Sequence, residues 1–189
     1  MAVTTCHTPR CTGIPDLWLL SDARNDAVLD HALCALPNGS GFVFRHYHLA
    51  PAARRARFDT LAATARHSGH LVIMADDGQL AEIWGADGIY GPAQRLPAAA
   101  RLMRLAAVHD EDEIRSANAM HADAVFLSPV FPTRSHPEAS GLGPERFRQL
   151  ASLAQMPVIA LGGMTHGRAR SLGWPRWAAI DGLVAELDS

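Results

Sequence analysis

Short apolar runs recur eight times along this chain, separated for most of its length by stretches with helical spacing. That alternation constrains the fold more than any other feature, because parallel neighbours in a sheet need crossover connections. Strands are predicted at 17–20, 41–45, 71–74, 88–90, 105–108, 124–127, 157–161 and 179–187. Helical spacing covers 25–36, 51–68, 79–84, 110–120 and 144–154. A further helix is expected to begin near His166, capped by Thr165. The arginines of 51–68 read as a solvated face. The apolar runs are continuous rather than alternating, as for strands covered on both sides. An open doubly wound sheet fits this alternation too; the count of eight and the short helices favour an α/β fold of the TIM (β/α)8 barrel type. Residues 1–14 are read as a flexible N-terminal tail. Residues 15–189 are read as one barrel domain, with its last helix truncated or missing.

Composition narrows the function classes. The 189 residues are enough for one well-buried core. A net charge of -2 gives no basic field for nucleic acid or an anionic membrane. No apolar run reaches the roughly 18 residues of a membrane span, and the first ten residues lack the pattern of a signal peptide. A cytoplasmic location is expected. Cys6, Cys11 and Cys34 are odd in number and fit no paired framework. Cys6 and Cys11 with His7 have ligand-type side chains, but a solvated tail is the preferred reading. The chain contains no lysine, so all 17 basic side chains are arginine. That excludes a lysine Schiff base or a lysine at a phosphate site.

In a parallel barrel the C-terminal strand ends build the active site. Those ends bring Asp22, Arg45, Asp76, Asp77, Tyr90, His109, the segment from Ser128 to Ser135, and Gly162 with Gly163 to one face. Gly162-Gly163 after an apolar strand lets backbone N–H groups approach an anion. A helix capped at Thr165 would aim N–H groups at the same place. The loop from Pro129 to Gly143 is longer than an ordinary βα loop, which favours a lid or binding loop.

The run Ala122-Asp123-Ala124-Val125-Phe126-Leu127-Ser128-Pro129-Val130-Phe131-Pro132-Thr133 is followed by Gly141-Leu142-Gly143. Then comes Pro157-Val158-Ile159-Ala160-Leu161-Gly162-Gly163-Met164. In order and spacing these resemble the signature of the thiamine phosphate synthase and TenI family. Phe44-Arg45, Met74-Ala75-Asp76-Asp77, Gly85-Ala86-Asp87-Gly88-Ile89 and Val108-His109 are looser echoes. The resemblance spans roughly Leu17 to Val184 and implies a transferase of thiamine biosynthesis. Such a synthase joins a hydroxymethylpyrimidine diphosphate to a thiazole phosphate and releases diphosphate, through a pyrimidine carbocation captured by the thiazole nitrogen. It uses Mg²⁺.

Carried over position by position, the resemblance puts Arg45 on the diphosphate and makes Asp76 a Mg²⁺ ligand. It puts Thr133 and Ser135 on the pyrimidine or phosphate groups, and Gly162 and Gly163 on the thiazole phosphate. Arg134, His136 and His109 join the catalytic and substrate-binding candidates. The chain also departs from the family pattern. Val43 and Tyr47 replace the glutamine and lysine flanking the arginine, and Ala75 replaces an asparagine. Arg95 stands at the second Mg²⁺ ligand, Ala107 at a serine, His136 at the lid lysine, and Glu186-Leu187 at a phosphate-binding pair. Two other readings follow. One is a TenI-like thiazole tautomerase with His109 or His136 as acid or base, although that branch carries histidine where this chain has Pro129. The other is a barrel that binds a thiamine-related phosphate or a protein partner without turnover. A missing last helix would expose apolar surface suited to a homodimer.

Overall fold

The computed structural model describes residues 13–75, 78–97, 101–133 and 140–183. Eight parallel strands close into a barrel in chain order: β1 (Leu17–Leu20), β2 (Gly41–Phe44), β3 (Leu71–Ala75), β4 (Gly88–Pro92), β5 (Met103–Val108), β6 (Ala124–Leu127), β7 (Val158–Ala160) and β8 (Trp177–Ala179). β8 returns to β1 with Trp18 opposite Ala178. Among the described residues six helices cover the outside: α1 (Leu29–Ala35), α2 (Pro51–His67), α3 (Gly78–Trp84), α4 (Glu111–Ala119), α5 (Gly143–Ala151) and α6 (His166–Leu172). Among the described residues no helix is long and apolar enough to cross a membrane.

Two cores follow from the period of two along each strand. Trp18, Leu20, Val43, Ile73, Leu105, Ala124, Phe126, Ile159 and Ala178 fill the barrel interior. Leu19, Phe42, Phe44, Val72, Met74, Val125 and Ala160 face outward onto the helices. Phe126 crosses the interior edge-on to both Trp18 and Tyr90, with ring centroids 5.4 and 5.1 Å apart. Gly41 makes room for this: a Cβ there would lie 2.1 Å from the Trp18 ring. On the outside, α2 buries Phe58, Leu61, Ala62 and Ala65, spaced as one helical face.

The elements agree with the expected order and differ in three places. The eighth strand is Trp177–Ala179, not 179–187. Trp177 N–H is fixed by the carbonyl of Asp16, and Asp181-Gly182 begins a turn where the strand was expected to continue. The first helical stretch divides into a 3-10 turn at Asp26–Val28 and α1. Finally, α2 does not present its arginines to solvent as a set. Arg54 is buried, and Arg57 is held by Asp26 and Asp30 at 2.7 Å each.

Candidate functional site

The inward register of each strand leads to the mouth of the barrel. One step beyond Leu20 lies Asp22; beyond Val43 lies Arg45; beyond Phe126 lies Ser128. β4 places Tyr90 and β5 points on to His109 by the same period. A cavity of about 390 Å³ opens there, lined by Arg45, Tyr47, Tyr90, His109, Ser128, Pro129, Thr133 and Gly162 among others. A second cavity of about 390 Å³ lies against the β7 and β8 ends, lined by Gly162, Gly163, Thr165, Arg168, Asp181 and neighbours. The two share Thr133, Leu161, Gly162 and Ile180.

The wall between them is a fitted backbone turn. Gly162 and Gly163 have φ of 96° and 61°, a region that favours glycine. A Cβ at Gly162 would meet Pro129 Cα at 2.6 Å, and one at Gly163 would meet the Pro132 carbonyl at 2.6 Å. The segment after β6 is hydrogen-bonded on both sides. Val130 N–H donates to the Leu161 carbonyl at 2.9 Å and Phe131 N–H to that of Gly162 at 3.1 Å; Leu142 and Gly143 N–H groups donate to Pro129 and Val130 at 2.8 and 2.9 Å. The N–H groups of Gly162 and Gly163 donate to no group among the described residues, which leaves them for an anion in the cavity. Thr165 caps α6 as expected, its side chain accepting from Arg168 N–H at 3.2 Å. The Arg168 guanidinium donates to the Gly163 carbonyl and stacks over Phe131 at 5.1 Å. Arg168 was not among the sequence candidates; its signal is its place three residues after the cap, beside the glycine turn.

Arg45 is held at both ends of its own residue. Its N–H donates to Ser21 Oγ at 2.7 Å. Its carbonyl accepts from Arg54 Nε at 3.1 Å and Nη2 at 3.0 Å, and Nη2 also reaches the Ala75 carbonyl at 3.1 Å. Arg54 therefore ties the ends of β2 and β3 together. Its guanidinium sits between the rings of Phe44, Tyr47 and Trp84, at 5.5, 5.6 and 5.6 Å. Ser21 is fixed in turn by buried His46, whose Nδ1 is 2.8 Å away and whose Nε2 is 2.8 Å from Asp26 Oδ1. The chain Ser21–His46–Asp26 has the residue types of a hydrolytic triad, but Ser21 has no exposed surface. It serves here as a strut under Arg45.

Electrostatics sort these groups. Burial pushes the Asp22 carboxyl up, but hydrogen bonds from Arg24 and the charges of Arg24 and Arg45 outweigh it and hold the pKa below its ordinary value. Burial pushes the Tyr90 phenol up to about 12, so it stays protonated at neutral pH. It can donate a hydrogen bond there but cannot act as a base. His109 is exposed, and its Nδ1 and backbone N–H both bind Glu113 Oε2, at 2.8 and 2.6 Å.

Of the sequence candidates, Arg45, His109, Thr133, Gly162 and Gly163 come together at the mouth. Asp76, Arg134, Ser135 and His136 lie outside the described residues, as do Cys6, Cys11 and Glu186-Leu187. Arg95 ends a 3-10 turn at Ala93–Arg95 and lines a third cavity of about 510 Å³ with Tyr47, Gln79 and Tyr90. No carboxylate lines that cavity among the described residues, so those residues do not fit a Mg²⁺ ion.

The architecture is thus a (β/α)8 barrel with its polar, glycine-shaped cavities at the C-terminal strand ends. The family model for thiamine monophosphate synthase matches residues 18–176, and the chain belongs to that family. It is 34% identical over 182 residues to the thiamine-phosphate synthase of Chromobacterium violaceum, covering 90% of this chain and 86% of that protein. It is also 34% identical over 127 residues to the thiamine biosynthesis bifunctional protein ThiM/ThiE of Symbiobacterium thermophilum, covering 63% of this chain. The chain spans only 26% to 56% of the length of three of the curated relatives it matches, that bifunctional protein among them. Among solved structures, thiamine phosphate pyrophosphorylase from Pyrococcus furiosus superposes with a TM-score of 0.74 at 24% identity, over 88% of this chain and 85% of that one. That likeness speaks for the fold.

Proposed function

We propose that the chain is a thiamine-phosphate synthase: it joins a hydroxymethylpyrimidine diphosphate to a thiazole phosphate and releases diphosphate. The observation that carries this is the pair of adjoining cavities, one walled by Arg45 and the other by the Gly162-Gly163 turn, with Thr133 and Gly162 common to both. A condensation of two phosphorylated molecules needs two anion sites with a shared reacting space between them.

In this reading the N–H groups of Gly162 and Gly163 hold the thiazole phosphate, with Arg168 beside them. Arg45 contacts the diphosphate of the other substrate. The methylene carbon attached to the pyrimidine loses its bond to diphosphate oxygen and gains one to the thiazole nitrogen. Charge on the departing diphosphate is met by Arg45, and by Arg95 in the adjoining cavity, since cationic donors aimed at developing charge are the largest source of such stabilisation. Tyr90, held neutral and packed on the buried Phe126, lines the floor. Thr133 and His109, just beyond β5, face the reacting groups; the resemblance gives Arg134, Ser135 and His136 to the same substrates. The resemblance makes Asp76 a Mg²⁺ ligand. Among the described residues the wall at Arg95 presents a cation and no carboxylate, so the leaving charge is met there by the arginines. The same reading takes the two phosphorylated small molecules as partners, the cytoplasm as location and a homodimer as the assembly, which sedimentation would read.

The test is to incubate both substrates with the protein, with and without Mg²⁺, and to measure thiamine phosphate. Product formation that falls at least tenfold in Arg45→Ala supports the reading. No product at stoichiometric enzyme concentration in either condition overturns it.

A further inference from the structure

Behind Arg45, on the rim between β1 and β2, three ligand-type side chains converge outside the two substrate cavities. One ligand atom each from Asp26, His46 and His48 lies within 4.8 Å of the other two. We propose that these three residues form a binding site for a borderline divalent cation of the zinc class.

The donor set decides the class. Two imidazoles and one carboxylate suit zinc or cobalt, whereas Mg²⁺ and Ca²⁺ prefer all-oxygen shells. The site is also braced as metal-binding histidines usually are, by a partner on the far ring nitrogen. His46 Nδ1 lies 2.8 Å from Ser21 Oγ, and its ring stacks on Phe44 with centroids 4.7 Å apart and an 8° interplanar angle. Asp26 is oriented by Arg57, which Asp30 holds on its other side. Asp26 and Asp30 together balance Arg57. A cavity of about 200 Å³, lined by Ser21, Asp22, Arg45, His46 and His48 among others, leaves room for water as a further ligand, and the Arg45 guanidinium there is paired with Asp22 at 3.8 Å.

The coordination change is small. His46 Nε2 and Asp26 Oδ1 share a hydrogen bond at 2.8 Å. Two ligands on a tetrahedral zinc ion stand roughly 3.3 Å apart, given zinc–ligand distances of about 2.0–2.1 Å. The cation replaces the shared proton, and that pair opens by about half an ångström. His48 is exposed, and its ring centroid is 5.3 Å from that of His46, so it has freedom to close on the ion. The proton then resides on His46 Nδ1, which donates to Ser21 Oγ. A hydroxyl accepts two hydrogen bonds, so Ser21 still takes the N–H of Arg45.

The experiment uses the full chain with Cys6→Ser, Cys11→Ser and Cys34→Ser, which removes every thiol as a competing ligand. Zn²⁺ is titrated calorimetrically, and Co²⁺ by its visible absorption. One equivalent is expected to bind saturably, and a hundredfold excess of Mg²⁺ is expected not to displace it. His48→Ala, at an exposed position that leaves the Asp26–Arg57 pair intact, is expected to weaken binding at least tenfold. Asp26→Asn is expected to do the same. Absence of saturable Zn²⁺ binding, affinity unchanged in His48→Ala, or displacement by Mg²⁺ would each overturn the proposal.

Discussion

Arg45 gains its position from residues that never touch the cavity contents. Ser21 accepts its N–H, Arg54 donates to its carbonyl, and neither is visible from the motif that singles out Arg45 in the sequence. Arg54→Ala would leave the carbonyls of Arg45 and Ala75 without this donor. A buried polar group left unpaired costs about 1–3 kcal/mol, so urea denaturation should show a loss of about 2–5 kcal/mol. Steady-state kinetics should show kcat/KM for the diphosphate substrate reduced about tenfold to a hundredfold. Arg54→Lys keeps the charge but not the planar fork, and should recover part of the stability only. Gly163→Ala acts on the other half-site. Its Cβ would lie 2.6 Å from the Pro132 carbonyl and 2.9 Å from Arg168 Nη1. The expected result is a KM for the thiazole phosphate raised about tenfold or more, with the KM for the pyrimidine diphosphate little changed. Gly163 was legible because a glycine pair after an apolar run has few other uses. Arg54 was not, because a helical arginine amid Arg55 and Arg57 looks solvated until the strand ends it caps are placed in space.

β2, β3 and β6 were legible because each is an apolar run buried on both faces, and a run of that kind needs no partner to be recognised. β8 was misplaced because Trp177-Ala178-Ala179 follows directly on Trp174-Pro175-Arg176, and no sequence rule says where a turn stops and a short strand begins. Just beyond the β1–β8 ladder a side chain reinforces the closure. Asn25 Nδ2 donates to the Leu20 carbonyl at 3.0 Å and the Ile180 carbonyl at 2.9 Å, joining β1 to β8, while its Oδ1 accepts from Asp22 N–H at 2.8 Å. Asn25→Ala should lower stability by about 2–4 kcal/mol in chemical denaturation, since it unpairs several buried groups at once. A second dependence lies just before β3. His70 is buried, its Nε2 bonds the Leu33 carbonyl at 2.9 Å, and its Nδ1 has no partner among the described residues. Burial pulls its pKa below the ordinary 6.5, against the pull of that carbonyl. Between the lowered folded value and 6.5 the unfolded chain binds more protons, so stability rises with pH there. It is fully present above 6.5 and is lost as pH falls toward the folded value. Urea midpoints measured across that window should show a slope that flattens in His70→Gln.

Closure of eight strands brings to one mouth residues that are far apart in the chain, and the account of function depends on that convergence. Composition and alternation were enough to reach the barrel and the face that carries chemistry. They were not enough to show that the mouth divides into two cavities with a common wall, because that division comes from the fold of Pro129–Thr133 against the Gly162-Gly163 turn. The departures at Val43, Ala75 and Arg95 also take their meaning from the assembled mouth. Val43 is a buried core residue beneath Arg45, and Arg95 stands at the edge of a third cavity that lacks a carboxylate among the described residues. The central claim is that the two cavities seat two phosphorylated substrates, with the glycine turn holding one phosphate. A crystal structure with thiamine phosphate and diphosphate tests it most directly. The ester phosphate is expected within hydrogen-bonding distance of the N–H groups of Gly162 and Gly163, and the diphosphate against Arg45. Thiamine phosphate bound with its phosphate elsewhere and the glycine turn vacant would contradict it.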